Sequence, residues 1–88
     1  MTTLRLRNDA VRWREIDSEV VAIDLDSSVY LSTNESGVLL WRRLSEGTTR
    51  AELVEELMHA FGIDAVRAEA DVAGFLAELD ARNLLERE

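Results

Sequence analysis

The hydrophobic period of the chain changes once, at Thr33-Asn34, and that change divides it into a strand half and a helix half. Before it, apolar and polar residues alternate, the two-residue period of a strand whose side chains point to opposite faces. Leu4–Arg7 alternates Leu with Arg, and Val11–Ile16 resumes with Val11, Trp13 and Glu15 on one face and Arg12, Arg14 and Ile16 on the other. The Asn8-Asp9 step between them is a hairpin signal, and Asp17-Ser18 is a second turn. Glu19–Leu25 is rich in β-branched residues, with Val21, Ile23 and Leu25 on one face and Val20, Ala22 and Asp24 on the other. Asp26-Ser27 reads as a two-residue turn into Ser28–Ser32, where Val29 and Leu31 should face the helices and Tyr30 the other way. Strands joined by turns this short are antiparallel neighbours. The spacing predicts an antiparallel meander whose last strand leaves one edge unpaired.

After the change the period is helical. Thr33 or Asn34 can cap the first helix, because a side-chain oxygen there accepts an orphan backbone N–H. Val38, Leu39, Trp41 and Leu44 follow with Leu40 flanking, and Gly47 is placed for a left-handed stop. Thr49 and Glu52 fit a capping box. Leu53, Val54, Leu57, Met58 and Phe61 form the apolar face of a second helix that Gly62 ends. Asp64 caps a third, about Ala65 to Arg82, with Val72, Phe75, Leu76 and Leu79 on its main apolar face. Asn83 stops it, and Leu84-Leu85 is expected to pack back on the core. The order β-β-β-α-α-α predicts an α+β fold: a three-stranded antiparallel sheet followed by a three-helix, winged-helix-like bundle. With 88 residues there is no room for a second core, so 1–88 reads as one domain.

Composition narrows the function classes. The chain has no Cys and one His, so disulfide frameworks, Cys-based metal sites and nucleophilic triads lack their parts. His59 lies one turn from Glu55, but zinc sites want three or four ligands, and a His late in a helix suits the negative end of its dipole. No Gly-rich phosphate loop follows a strand. The expectation is a protein without catalytic residues, metal or cofactor. No apolar run reaches the ~20 residues of a membrane helix, and the N-terminus lacks the apolar core of a signal peptide, so a cytoplasmic protein is expected. Net charge is −8. Residues 1–16 carry Arg5, Arg7, Arg12 and Arg14 against Asp9 and Glu15, a net of +2, so the remainder carries −10. Such a body repels nucleic-acid phosphate.

Trp41, at helical spacing with Val38 and Leu44, is a core residue; Trp13 sits in an early strand with Arg on its other face. On the third helix Val66, Ala70, Ala73, Ala77 and Ala81, with Gly74 alongside, make a stripe of mostly small side chains. Ala is the best helix former and fills half-exposed positions at little cost, but a smooth wall is also what a docked peptide lies against.

The ordered combination of Leu31-Ser-Thr-Asn-Glu, Val38-Leu-Leu-Trp41 with Leu44, Gly47-Thr-Thr, Glu52-Leu-Val with Leu57, Asp71-Val-Ala-Gly-Phe-Leu-Ala-Glu-Leu79 and Asn83-Leu-Leu85 resembles the PqqD-like family, the peptide recognition elements of ribosomal-peptide biosynthesis. The likeness is clearest from Val20 to Leu85; the family's usual Gly before the closing apolar pair is Asn83 here, which also tolerates the left-handed conformation. The resemblance implies non-catalytic binding of a precursor peptide's leader, which adds as a strand to the edge of the third strand in the cleft against the third helix. Carried onto this sequence, the edge is Val29, Tyr30, Leu31 and Ser32, and the helix contributes Val66, Arg67, Ala70, Asp71, Ala73, Gly74 and Ala77, with Arg67, Asp71 and Glu78 along a charged rim. Ser28–Ser32 carries neither the charge nor the Pro that usually blunts an exposed edge. The implied partners are the leader peptide and a leader peptidase or other modifying enzyme, with no nucleic acid and no membrane. Lasso-peptide biosynthesis is the favoured setting and the peptide chaperone of pyrroloquinoline quinone biosynthesis the alternative. An open edge also admits a second copy, so a monomer or an edge-paired dimer is expected. A winged-helix DNA binder, opposed by the acidic body, and a purely structural subunit are the readings from other classes.

Overall fold

The computed structural model describes residues 2–88. Its elements run β1 (Leu4–Leu6), β2 (Val11–Ile16), β3 (Glu19–Asp24), β4 (Tyr30–Thr33), α1 (Glu35–Glu46), α2 (Arg50–Phe61), α3 (Ala65–Ala81) and β5 (Leu85–Arg87). The strands β2, β3 and β4 form an antiparallel sheet in that order, and the three helices follow it, which is the predicted α+β architecture. Asp17 and Ser18 join β2 to β3 with φ of 47° and 66°, two positive values in succession, the hairpin geometry that matches the twist of the strands.

Several local expectations are corrected. The Asn8-Asp9 step makes no hairpin, because β1 and β2 lie in different sheets: β1 pairs with β5, Leu4 opposite Arg87 and Leu6 opposite Leu85. The Leu84-Leu85 return supplies that partner and buries Leu4 and Leu6, and Asn83 (φ 58°) makes the left-handed turn into it. The β3–β4 connection is not the two-residue Asp26-Ser27 turn but the four residues Leu25–Ser28. Asp24 organises it: its carboxylate accepts the Asp26 N–H (3.0 Å), its carbonyl accepts the Ser28 N–H (2.8 Å), and only Ser28 needs positive φ (60°). Val29 therefore falls before β4 and is 42% exposed. In α1, Leu40 is in the core and Leu39 is half-buried, the reverse of the spacing argument.

The helix ends follow their capping residues. Asn34 Oδ1 accepts the Gly37 N–H (3.1 Å), Thr49 and Glu52 exchange the two bonds of a capping box, and Asp64 Oδ1 accepts the Arg67 N–H (2.8 Å). Gly62 closes α2 in the left-handed conformation. Gly47 departs from the expected cap: at φ 101° and ψ 128° it leads straight into Thr48, which exchanges backbone bonds with Leu4 (2.7 and 2.9 Å). β1 is thus held by β5 on one side and by the α1–α2 joint on the other.

One core joins these parts. Val20 and Ala22 of β3, Leu40, Trp41 and Leu44 of α1, Leu53 and Leu57 of α2, Val72, Leu76 and Leu79 of α3 and the returning Leu84 are all buried. Each fully buried aliphatic side chain contributes about 1.5–3 kcal/mol relative to exposure. Trp13 packs edge-on against Trp41, with ring centroids 6.0 Å apart at 68°. At the surface, Arg42 of α1 grips Glu15 of β2 and holds that carboxyl below the usual range, and Arg87 of β5 does the same to Asp80 of α3. No helix among the described residues is long and apolar enough to cross a membrane.

Candidate functional site

The site begins at the free edge of β4. Asp24 N–H donates to the Val29 carbonyl (2.9 Å), so Asp24 and Val29 begin the hydrogen-bonded alternation between β3 and β4. Bonded and non-bonded pairs alternate along an antiparallel ladder. In the register Ile23↔Tyr30, Ala22↔Leu31 and Val21↔Ser32, Leu31 therefore bonds to β3. The N–H and C=O of Tyr30 and Ser32 point the other way, to an edge that no strand covers among the described residues. The side chains alternate as well: Leu31 packs against the core, and Tyr30 is 73% exposed on the outer face of the sheet.

Beside this edge a groove of about 680 Å³ runs between β4 and α3. Its apolar lining comes from Leu40, Trp41, Leu57, Phe75 and Leu79. One wall is Leu31, Ser32 and Thr33, continued by Asn34, Ser36 and Gly37 at the start of α1. The other is the α3 line Arg67, Ala70, Asp71, Gly74 and Glu78. Gly37 is required for the first wall, since a Cβ there would lie 2.5 Å from the Thr33 Cβ. Gly74 is the opposite case: a Cβ there would meet nothing within 4 Å.

Of the predicted residues the groove brings together Leu31, Ser32, Arg67, Ala70, Asp71, Gly74 and the rim residue Glu78. Val29 and Tyr30 do not line it, and neither do Val66, Ala73 and Ala77. These last three project from the next face of α3, turned roughly a quarter-turn or more from the line through Arg67, Gly74 and Glu78, and Val66 is 81% exposed. The sequence reading missed Thr33, Asn34, Ser36 and Gly37, which arrive through the close approach of β4 to α1, and placed Trp41 only in the core. The 3–4 spacing of Arg67, Asp71, Gly74 and Glu78 was the signal for the groove face of α3.

The polar groups divide into rim and floor. Arg67 lies 3.9 Å from Asp71, and Glu78 3.5 Å from Arg82, both exposed pairs one turn apart. Exposed pairs of this kind are worth roughly 0–1 kcal/mol, so the rim can tune an occupant and cannot hold it. Deeper in, Trp41 Nε1 and Thr33 Oγ1 are buried without a hydrogen-bond partner, and both residues line the groove. Among the described residues no three His, Cys, Asp or Glu side chains gather as metal ligands do. What the arrangement offers is a strand edge beside an apolar channel, the two requirements of strand addition with side-chain pockets.

A family model described as coenzyme PQQ synthesis protein D (PqqD) matches residues 19–85. No curated protein matches the chain. Among solved structures, that of TbiB1 in complex with the TbiA(beta) leader peptide superposes with a TM-score of 0.84 at 32% identity, over 93% of this chain and 94% of that one. Lasso peptide synthetase B1 complexed with the leader peptide superposes with a TM-score of 0.80 at 24% identity, over 94% and 96%. At that lower identity the likeness is one of fold.

Proposed function

This chain belongs to the PqqD family, and from that premise we propose that it is a non-catalytic recognition element that binds the leader segment of a ribosomally made precursor peptide and delivers it to a leader peptidase in lasso-peptide biosynthesis. The observation that carries this reading is the outward-facing backbone of Tyr30 and Ser32 beside the apolar groove. A leader in extended conformation adds as a fourth strand along β4, and backbone hydrogen bonds set its register without reading its sequence. Alternate leader side chains then point into the groove, where Gly74 and Ala70 leave room above Trp41, Leu57 and Phe75. Apolar leader residues gain most there, by about 25 cal/mol per Å² removed from water.

The leader-binding reading is supported by the 32%-identical protein, aligned over nearly its whole length and solved in complex with a leader peptide, and the lasso setting by the fold shared with lasso peptide synthetase B1. The acidic α3 rim disfavours a nucleic-acid ligand. The test is a fluorescence-anisotropy titration of the labelled leader from the precursor encoded beside this gene. Saturable binding in the micromolar range or tighter, with a scrambled leader inert, is expected. Equal binding of leader and scrambled peptide, or of neither, contradicts the proposal.

A further inference from the structure

The fold leaves two polar atoms of the groove wall unpaired. Trp41 Nε1 and Thr33 Oγ1 are buried with no hydrogen-bond partner, and a buried polar group without one is costly. The third such atom among the described residues, Arg5 Nε, belongs to a guanidinium that lies 3.6 Å from Glu88 and does not line the groove. The remaining polar side chains of the groove need no occupant. Ser36 donates to Asn34 (2.9 Å), Asn34 caps α1, and Ser32, Arg67, Asp71 and Glu78 are exposed to water. Thr33 lies on the helix side of β4 with Leu31. It packs so closely on Gly37 that a Cβ there would sit 2.5 Å from the Thr33 Cβ. Gly37 and Trp41 are one turn apart on the same face of α1. Thr33, Gly37 and Trp41 thus make one stretch of wall, and shape alone would be served there by Val and Phe.

We propose that Thr33 and Trp41 are specificity-determining residues of the groove. They select a leader that carries, at the inward position beside Thr33, an uncharged side chain with an oxygen acceptor, a hydroxyl or a carboxamide. Donor and acceptor chemistry narrows the class. An indole N–H only donates, so the occupant must accept; the Thr33 hydroxyl takes either role. Lys and Arg side chains carry no acceptor. A carboxylate would be buried between walls that already hold Asp71 and Glu78, in a chain of net charge −8. An aliphatic side chain leaves both atoms unpaired, and a site built for a hydrogen bond rejects the analogue that lacks one. Inward positions along an added strand are two residues apart, so the neighbouring inward side chain, beside Leu31, is apolar. The occupant reaches the two polar atoms by turning Leu31 and Phe75, half-buried side chains of the lining that border open groove. This selection rests on the leader-binding reading and deepens it. Backbone bonds hold an extended peptide without reading its sequence, and the Thr33–Trp41 stretch reads one position of it.

The test titrates the full-length protein with the labelled leader of the precursor encoded beside its gene, and with leaders in which each hydroxyl or carboxamide side chain is replaced in turn by an apolar one of similar shape. Trp41→Phe and Thr33→Val are expected to remain folded, with melting temperatures close to the parent's, and to bind the unaltered leader about 10-fold or more weakly. One leader replacement should weaken binding to the parent by a like factor. In the double variant Trp41→Phe/Thr33→Val that replacement should change affinity by less than about twofold, because both changes remove the same interaction. In the parent, the Trp41 indole proton resonance should move downfield on saturation with leader; an unmoved resonance overturns the inference. So does a leader set in which no replacement has a smaller effect on the double variant than on the parent. A parent that binds no leader defeats the leader-binding reading and this inference with it. A parent that binds leader, with a double variant of equal affinity, defeats this inference alone, and is also the result if water is the only partner of the two atoms.

Discussion

Gly74→Leu is expected to fold at least as well as the parent and to bind the leader peptide roughly 10- to 100-fold more weakly, the cost of forcing extra bulk into an occupied space. The two halves of this expectation have separate causes. Gly74 sits mid-way along α3 and is exposed, and its added Cβ meets no atom within 4 Å, so nothing in the fold resists the change. Replacing a helix-interior glycine with a good helix former contributes about 0.5–1 kcal/mol. The side chain has only the groove to occupy, on the wall facing Leu31 and Ser32, where the peptide would lie. Gly74→Ala should show the same stabilisation with a smaller loss of affinity. Anisotropy titrations beside thermal melts separate the two effects. A Gly74→Leu protein with raised stability and parental affinity would place the peptide elsewhere.

Trp41→Ala carries the largest expected cost to the fold itself, about 3–5 kcal/mol, as for other fully buried large aromatics. Trp41 is 1% exposed at the junction of sheet and helices, and it supports Trp13 edge-on. A domain of this size has a total stability of about 5–15 kcal/mol, so the variant should lose most of its cooperative unfolding transition. Trp41→Phe should cost far less, because the ring still packs and the buried Nε1, which has no hydrogen-bond partner, is gone. Urea unfolding followed by circular dichroism measures both. A cost below about 1 kcal/mol for Trp41→Ala would contradict a residue at the centre of the core.

These two residues also mark how far the sequence was legible. Trp41 was readable as core because its spacing with Val38 and Leu44 is a purely local pattern, and the caps Asn34, Thr49 and Asp64 were readable because a cap is a bond between residues three apart. Local chemistry likewise marked Asn83 as the left-handed stop. Strand partners are not local. The alternation in Leu4–Arg7 showed a strand, but nothing in it showed that the partner would be Leu85–Arg87 at the other end of the chain. The groove face of α3 was half legible. Small residues occur on two adjacent faces of that helix, and its rotation, with Ala68, Val72, Leu76 and Leu79 turned into the core, brings Ala70 and Gly74 to the groove and leaves Ala73 and Ala77 outside it. Val29 moved out of β4 for a similar reason: the loop is set by hydrogen bonds to Asp24, which alternation does not record.

The free edge of β4 is the centre of this account, and amide hydrogen exchange at single-residue resolution tests it most directly. Saturation with the leader peptide should slow exchange at the Tyr30 and Ser32 N–H groups by about 10-fold or more, as new ladder bonds must open first. The Leu31 N–H, already bonded to β3, should change much less. A leader that binds tightly and leaves Tyr30 and Ser32 exchanging at their free rates would contradict strand addition at this edge.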